Sequence, residues 1–139
     1  MSSHERYELE PIGWVRSSLL DPTQAPLQGD EGAPDAQLDL EEAVYEAARD
    51  LAAGDELLVL TWLHRGQRDV LAVHPRSDPA KAVRGVFSTR SPDRPNPIGL
   101  HRVTVLAVEG TTVTVSGLEA IDGTPVIDIK PVLEPIGDR

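Results

Sequence analysis

The sequence predicts a mainly β protein, a small, mostly antiparallel β-barrel with one main helix. Three observations carry this. Short runs of β-type residues recur along the chain, and turn chemistry at Glu109-Gly110 and Asp122-Gly123 punctuates them at short intervals. In "TTVTVS", Val113 and Val115 share one face while Thr112, Thr114 and Ser116 share the other, the period-2 pattern of a half-buried sheet. Only one stretch repeats its apolar residues at helical spacing.

Taken in order, Glu8 to Arg16 ("ELEPIGWVR") reads as a short first strand, with β-type residues at Ile12, Trp14 and Val15. Residues 18 to 36 are rich in Pro, Gly, Gln and Asp and read as a long loop, either a functional one or a plain insertion. Asp39 is placed to N-cap the helix, with Glu42 completing a capping-box pattern and Gly54 just past the end. Ala43, Val44, Ala47, Ala48 and Leu51 form its apolar face. Strand-like runs follow at 56 to 64, 68 to 74, 85 to 89, 98 to 108, 111 to 118 and 126 to 130. Trp14 and Trp62 are most simply core residues.

At 139 residues, with 40% hydrophobic and 26% charged side chains, the chain reads as one ordinary globular domain over 1 to 139. No apolar run approaches the roughly 20 residues of a bilayer span, and Met1 to Arg16 lacks the layout of a secretory signal, so a cytoplasmic location and no membrane partner are expected. Absence of cysteine excludes disulfides, thiolate metal sites and a cysteine nucleophile. The histidines His4, His64, His74 and His101 are too dispersed for a local ligand pair, so no metal site is expected. There is no G-x-G dinucleotide fingerprint, no phosphate-cradling G-x-x-x-x-G-K-[ST] loop and no G-x-S-x-G elbow.

Charge is distributed unevenly around a net of −10. Residues 1 to 60 hold 14 acids against three bases, a net −11, and the remainder carries +1. Within Arg76 to Arg102 there are six bases and only Asp78 and Asp93 as acids. This basic island includes "TRSPDRPNPIGLHR" (89 to 102), whose prolines fix φ and push Ser91, Arg94 and Asn96 extended. A loop so restrained loses little entropy on meeting a ligand. Arg90 and Arg94 offer forked donors to a carboxylate or phosphate, and Asn96 an amide suited to a nucleobase edge. The blander reading is a rigid connector whose arginines pair with the acidic N-terminal half. In "DGTPVIDIKP" (122 to 131), Asp128 and Lys130 lie two apart and share a strand face. That spacing suits orientation of an acceptor and proton acceptance, and equally an exposed salt bridge worth under about 1 kcal/mol. Pro125 and Pro131 suggest an edge strand or a strand end. By themselves His64 and Arg65 read as a polar turn at a barrel rim.

Together, "GVFSTRSPDRPNPIGLHRVTVL" (85 to 106), "GLEAIDGTPVIDIKPVL" (117 to 133) and "PIGWVRS" (11 to 17) resemble the signature blocks of the TsaA-like (TrmO) family. The resemblance implies a small β-barrel that binds S-adenosyl-L-methionine without a Rossmann fold, usually as a homodimer with the cofactor near the interface. It further implies methylation of the N6 amine of threonylcarbamoyl-modified adenosine beside the tRNA anticodon. Carried over by position, the cofactor contacts fall on Pro26, Gln28, His64, Arg65, Arg90, Leu100, Asp122, Gly123, Thr124 and Pro125, with Arg94 and Asn96 on the same loop. Asp128 and Lys130 match the D-x-K-P element and are the candidates beside the acceptor, where methyl transfer to a neutral amine needs little beyond alignment. Leu27, His101 and Val132 stand where the family more often has arginine, serine and an aromatic residue. A net −10 opposes tRNA binding, while the basic island supplies a local patch. Two alternatives stay open: methyl transfer to a small-molecule acceptor, and a nucleoside- or anion-binding module without turnover.

Overall fold

The computed structural model describes residues 4–20 and 34–133. Six strands close a barrel: β1 (Gly13–Arg16), β2 (Ala36–Leu40), β3 (Glu56–Trp62), β6 (Ile98–Glu109), β7 (Thr112–Ser116) and β8 (Pro125–Pro131). Their order around the barrel is β1-β2-β7-β6-β3-β8, and every neighbouring pair is antiparallel. Two short strands, β4 (Ala72–Val73) and β5 (Arg84–Gly85), pair separately in the long excursion between β3 and β6.

Alternation builds the interior. Val15, Leu38, Val59, Val113, Val115 and Val126 are fully buried, each worth about 1.5–3 kcal/mol relative to exposure. Thr112, Thr114 and Ser116 face outward as the pattern of β7 requires. Gly13 permits the tight approach of β1 to β2, since a Cβ there would lie 2.3 Å from the Asp39 carbonyl oxygen. Both β8 prolines sit at strand ends, but β8 is paired on both sides and is no edge.

The structure corrects several expectations. Asp39 caps no helix: it lies in β2 opposite Trp14 and Thr112, and its carboxylate meets Arg16 at 2.5 Å. The helix shrinks to a 3₁₀ segment, Glu42–Ala48, entered through Glu41 without a side-chain cap. Ladder pairing and the burial of Ala36, Leu38 and Leu40 outcompete the local capping signal. Val44 and Leu51 still pack against the core, so the expected apolar face is partly realised. The strands expected at 68 to 74 and 85 to 89 contract to the two-residue β4 and β5, with a 3₁₀ turn at Val86–Ser88. Neither tryptophan is a core residue: Trp14 is 40% exposed on the barrel exterior, and half-buried Trp62 lies under the Arg68 guanidinium, 5.2 Å from its ring centroid.

Candidate functional site

Beside β6 lies an open cavity of about 1270 Å³. Its walls come from the turn after β3 (63–66), the 87–94 loop, the strand β6 and the β7–β8 connection (116–124). The two loops are fastened to each other. Arg68 donates from Nε to the Pro95 carbonyl at 2.7 Å and from Nη2 to Asn96 Oδ1 at 2.8 Å, while the Gln67 N–H donates to Asp93 Oδ1 at 2.9 Å. The Leu63 N–H reaches the Pro97 carbonyl at 2.7 Å, and the Arg94 N–H the Gln67 carbonyl at 2.9 Å. Gly66 is required here, because a Cβ would fall 2.3 Å from the Pro92 carbonyl oxygen.

The two arginines of the proline-rich loop have different duties. Arg94 turns inward and donates to the Thr89 carbonyl at 2.9 and 3.1 Å and to the Val86 carbonyl, so its guanidinium braces the loop. Arg90 is exposed on the cavity wall and makes no hydrogen bond or ion pair among the described residues. His64 and Arg65 line the same space, likewise exposed and without such partners among the described residues. Arg102, also on the wall, is neutralised by Glu56 at 2.9 Å. The cavity thus offers uncommitted positive charge from two loops, a setting for the anionic end of a ligand.

Other expected residues divide. Leu100 points outward from β6 into the cavity, and buried Thr124 borders it while its hydroxyl donates to the Ile121 carbonyl at 2.7 Å. Asn96 is not on the wall, and Arg68 engages its amide oxygen, so half of the expected base-reading edge is spent on loop structure. Asp122 accepts from the Ser17 N–H at 3.0 Å and lines a separate, smaller cavity of about 410 Å³ with Arg16 and Gln37. Gly123, at φ +84°, donates its N–H to the Val15 carbonyl, and Pro125 pairs with Trp14. The D-G-T-P turn therefore ties β8 to β1 and presents only Thr124 to the larger cavity. Asp128 and Lys130 form an ion pair at 3.0 Å, about half exposed, and neither lines the cavity. Pro26 and Gln28 lie outside the described residues. Among the described residues no cluster of His, Cys, Asp or Glu is placed to hold a metal.

A polar group went unread in the sequence. His101, 4% exposed, joins Glu119 through Nδ1 at 2.5 Å and Thr61 Oγ1 through Nε2 at 2.7 Å. The signal was there: Thr61 and His101 each continue an inward alternation, Leu57-Val59-Thr61 and His101-Val103-Val105, where an apolar residue is the rule.

Residues 14–137 match the model of the tRNA-methyltransferase O N-terminal domain. A probable S-adenosyl-L-methionine-binding protein of Methanothermobacter thermautotrophicus is 43% identical over 92% of this chain and 91% of its own length. The probable S-adenosyl-L-methionine-binding protein VirR of Rhizobium radiobacter is 38% identical over 86% of this chain and 67% of its own. A crystal structure of TrmO superposes with a TM-score of 0.70 at 27% identity, and that of TrmO from Pseudomonas aeruginosa with 0.68 at 26%. They cover 99% and 97% of this chain, which in turn spans only 62% and 61% of theirs. Length and matched region together make this chain a member of the tRNA-methyltransferase O N-terminal domain family.

Proposed function

We propose that this chain binds S-adenosylmethionine in the β6 cavity and transfers its methyl group to the N6 amine of threonylcarbamoyl-modified adenosine next to the tRNA anticodon. The observation that carries the reading is the unpaired positive charge of Arg90 and Arg65, with the imidazole of His64 beside them, on two mutually fastened loops next to a space large enough for a nucleoside. Arg90 suits the carboxylate of the methyl donor, and the outward Leu100 gives its apolar parts a surface. When bound, the donor would supply an electrophilic methyl on a sulfonium; replacing the hydrogen of the carbamoyl-bearing N6 leaves the thioether S-adenosylhomocysteine and passes one proton to water. Since the loops are already braced, the chain's main contribution is alignment.

Asp128 and Lys130 are assigned to the acceptor side, where their ion pair presents one charge of each sign on the outer face of β8. A homodimer with the cavity near its interface is part of the proposal, favoured by Leu71, Val83 and Phe87, which stand exposed around the β4–β5 excursion. We place the protein in the cytoplasm; among the described residues no helix is long and apolar enough to cross a membrane. A small-molecule acceptor is the second reading, favoured by the net charge of −10.

A thermal-shift titration tests the first step: S-adenosylmethionine at about a hundred times its Kd adds roughly 2.7 kcal/mol of stability, and no shift at any concentration removes the reading. Mass spectrometry of nucleosides from bulk tRNA of a deletion strain tests the second. Loss of the N6-methylated threonylcarbamoyl-adenosine is expected, and an unchanged level leaves the small-molecule acceptor.

A further inference from the structure

The barrel buries a hydrogen-bonded chain, Thr61–His101–Glu119, directly beneath the cavity. An ionised carboxylate only accepts, so His101 Nδ1 carries the hydrogen shared with Glu119. At its far side Nε2 is held by a hydroxyl that is itself fully buried, which fixes the ring in position. Gly99 keeps this contact possible: a Cβ there would stand 2.5 Å from Thr61 Oγ1 and 2.7 Å from His101 Nε2. Glu119, with 15% of its side chain exposed, borders the cavity. Only its Oε1 is engaged; Oε2 has no partner among the described residues and keeps some exposure to solvent.

Of the other acids on the wall, Glu56 is neutralised by Arg102, and Asp93 accepts the Gln67 N–H through Oδ1; Glu119 is set apart by its buried imidazole partner and its 15% side-chain exposure. A partly desolvated carboxylate with one open oxygen, in a cavity whose loops also present the unpartnered guanidiniums of Arg65 and Arg90, is complementary to a ligand that carries positive as well as negative charge. We propose that Glu119 receives a cationic group of the methyl donor, and that His101, steadied by Thr61, is a positioning residue that aims the Glu119 carboxylate. This rests on the reading of the cavity as the S-adenosylmethionine site. Two cations of that ligand fit the same chemistry, the sulfonium and the α-ammonium, and S-adenosylhomocysteine retains only the second.

The test is calorimetric titration of both ligands into the full chain and into Glu119→Gln, His101→Asn and His101→Leu. Glu119→Gln should lower affinity about tenfold, between the effect of an exposed charge pair and that of a fully buried one. A loss confined to S-adenosylmethionine assigns the contact to the sulfonium; an equal loss for both ligands assigns it to the ammonium; either supports the proposal. His101→Leu should follow in the same direction, whereas His101→Asn, which keeps a donor where Nδ1 stood, should recover most of the affinity. Equal losses in the two His101 variants overturn the positioning role. If the wild-type chain binds both ligands and Glu119→Gln binds them equally well, the Glu119 contact is wrong while the cavity reading stands. A wild-type chain that binds neither removes the cavity reading and this proposal together.

Discussion

Two parts of the barrel interior follow opposite rules. Around β1, β2 and β7 the inward side chains are Val15, Ala36, Leu38, Leu40, Val113 and Val115, with no polar atom to satisfy. Where β3, β6 and the start of β8 meet the cavity, the same alternation delivers Thr61, His101 and Thr124, all of the buried polar side chains among the described residues. Each has its hydrogen-bond partners, so the second region does not forfeit stability for unsatisfied groups. The difference teaches that apolar packing holds the barrel closed on one side, and that polar burial is confined to the wall a ligand would approach.

That contrast can be broken from either side. Leu38→Ala should give the largest effect, a loss of about 2–5 kcal/mol of folding stability in urea denaturation, because the fully buried site cannot collapse around the void. The ratio of affinities for S-adenosylmethionine and S-adenosylhomocysteine should stay unchanged in this variant; a changed ratio would mean that the two regions are coupled. Arg94→Ala comes next. It strips charged hydrogen bonds from the Thr89 and Val86 carbonyls and should cost about 1.5–3 kcal/mol, with ligand affinity falling alongside stability.

Arg90→Ala sharpens the comparison within a single loop. With no partner among the described residues, Arg90 should leave urea stability within about 0.5 kcal/mol of wild type while ligand affinity in calorimetry drops about tenfold. If stability fell with affinity, Arg90 would be a brace like Arg94. Lys130→Ala should give the smallest effect. An exposed pair of this kind contributes less than about 1 kcal/mol, and ligand affinity should change less than in Arg90→Ala. The reverse order would exchange the donor and acceptor walls.

Much of the barrel was legible because alternation is a local signal: β3, β6, β7 and β8 lie close to their expected spans. β2 was hidden because "AQLDL" is short, follows Pro34 and contains an acid that also reads as a helix cap. Its strand state is decided by partners far away in sequence, at Trp14 and Thr112. The proline-rich loop was legible as stiff and basic, since proline acts through its own φ. Which arginine serves structure and which faces the cavity was not, because that depends on where the Thr89 carbonyl points. The Glu119–His101–Thr61 chain joins residues 18 and 40 positions apart and leaves no local spacing to recognise.

Gly66 against the Pro92 carbonyl has a kinetic meaning. The rim bearing His64 and Arg65 and the rim bearing Arg90 are lashed together before any ligand arrives, their ordering already completed during folding. As far as these two rims are concerned, an incoming molecule meets ordered partners, so their share in its capture is set by diffusion, orientation and ionic strength.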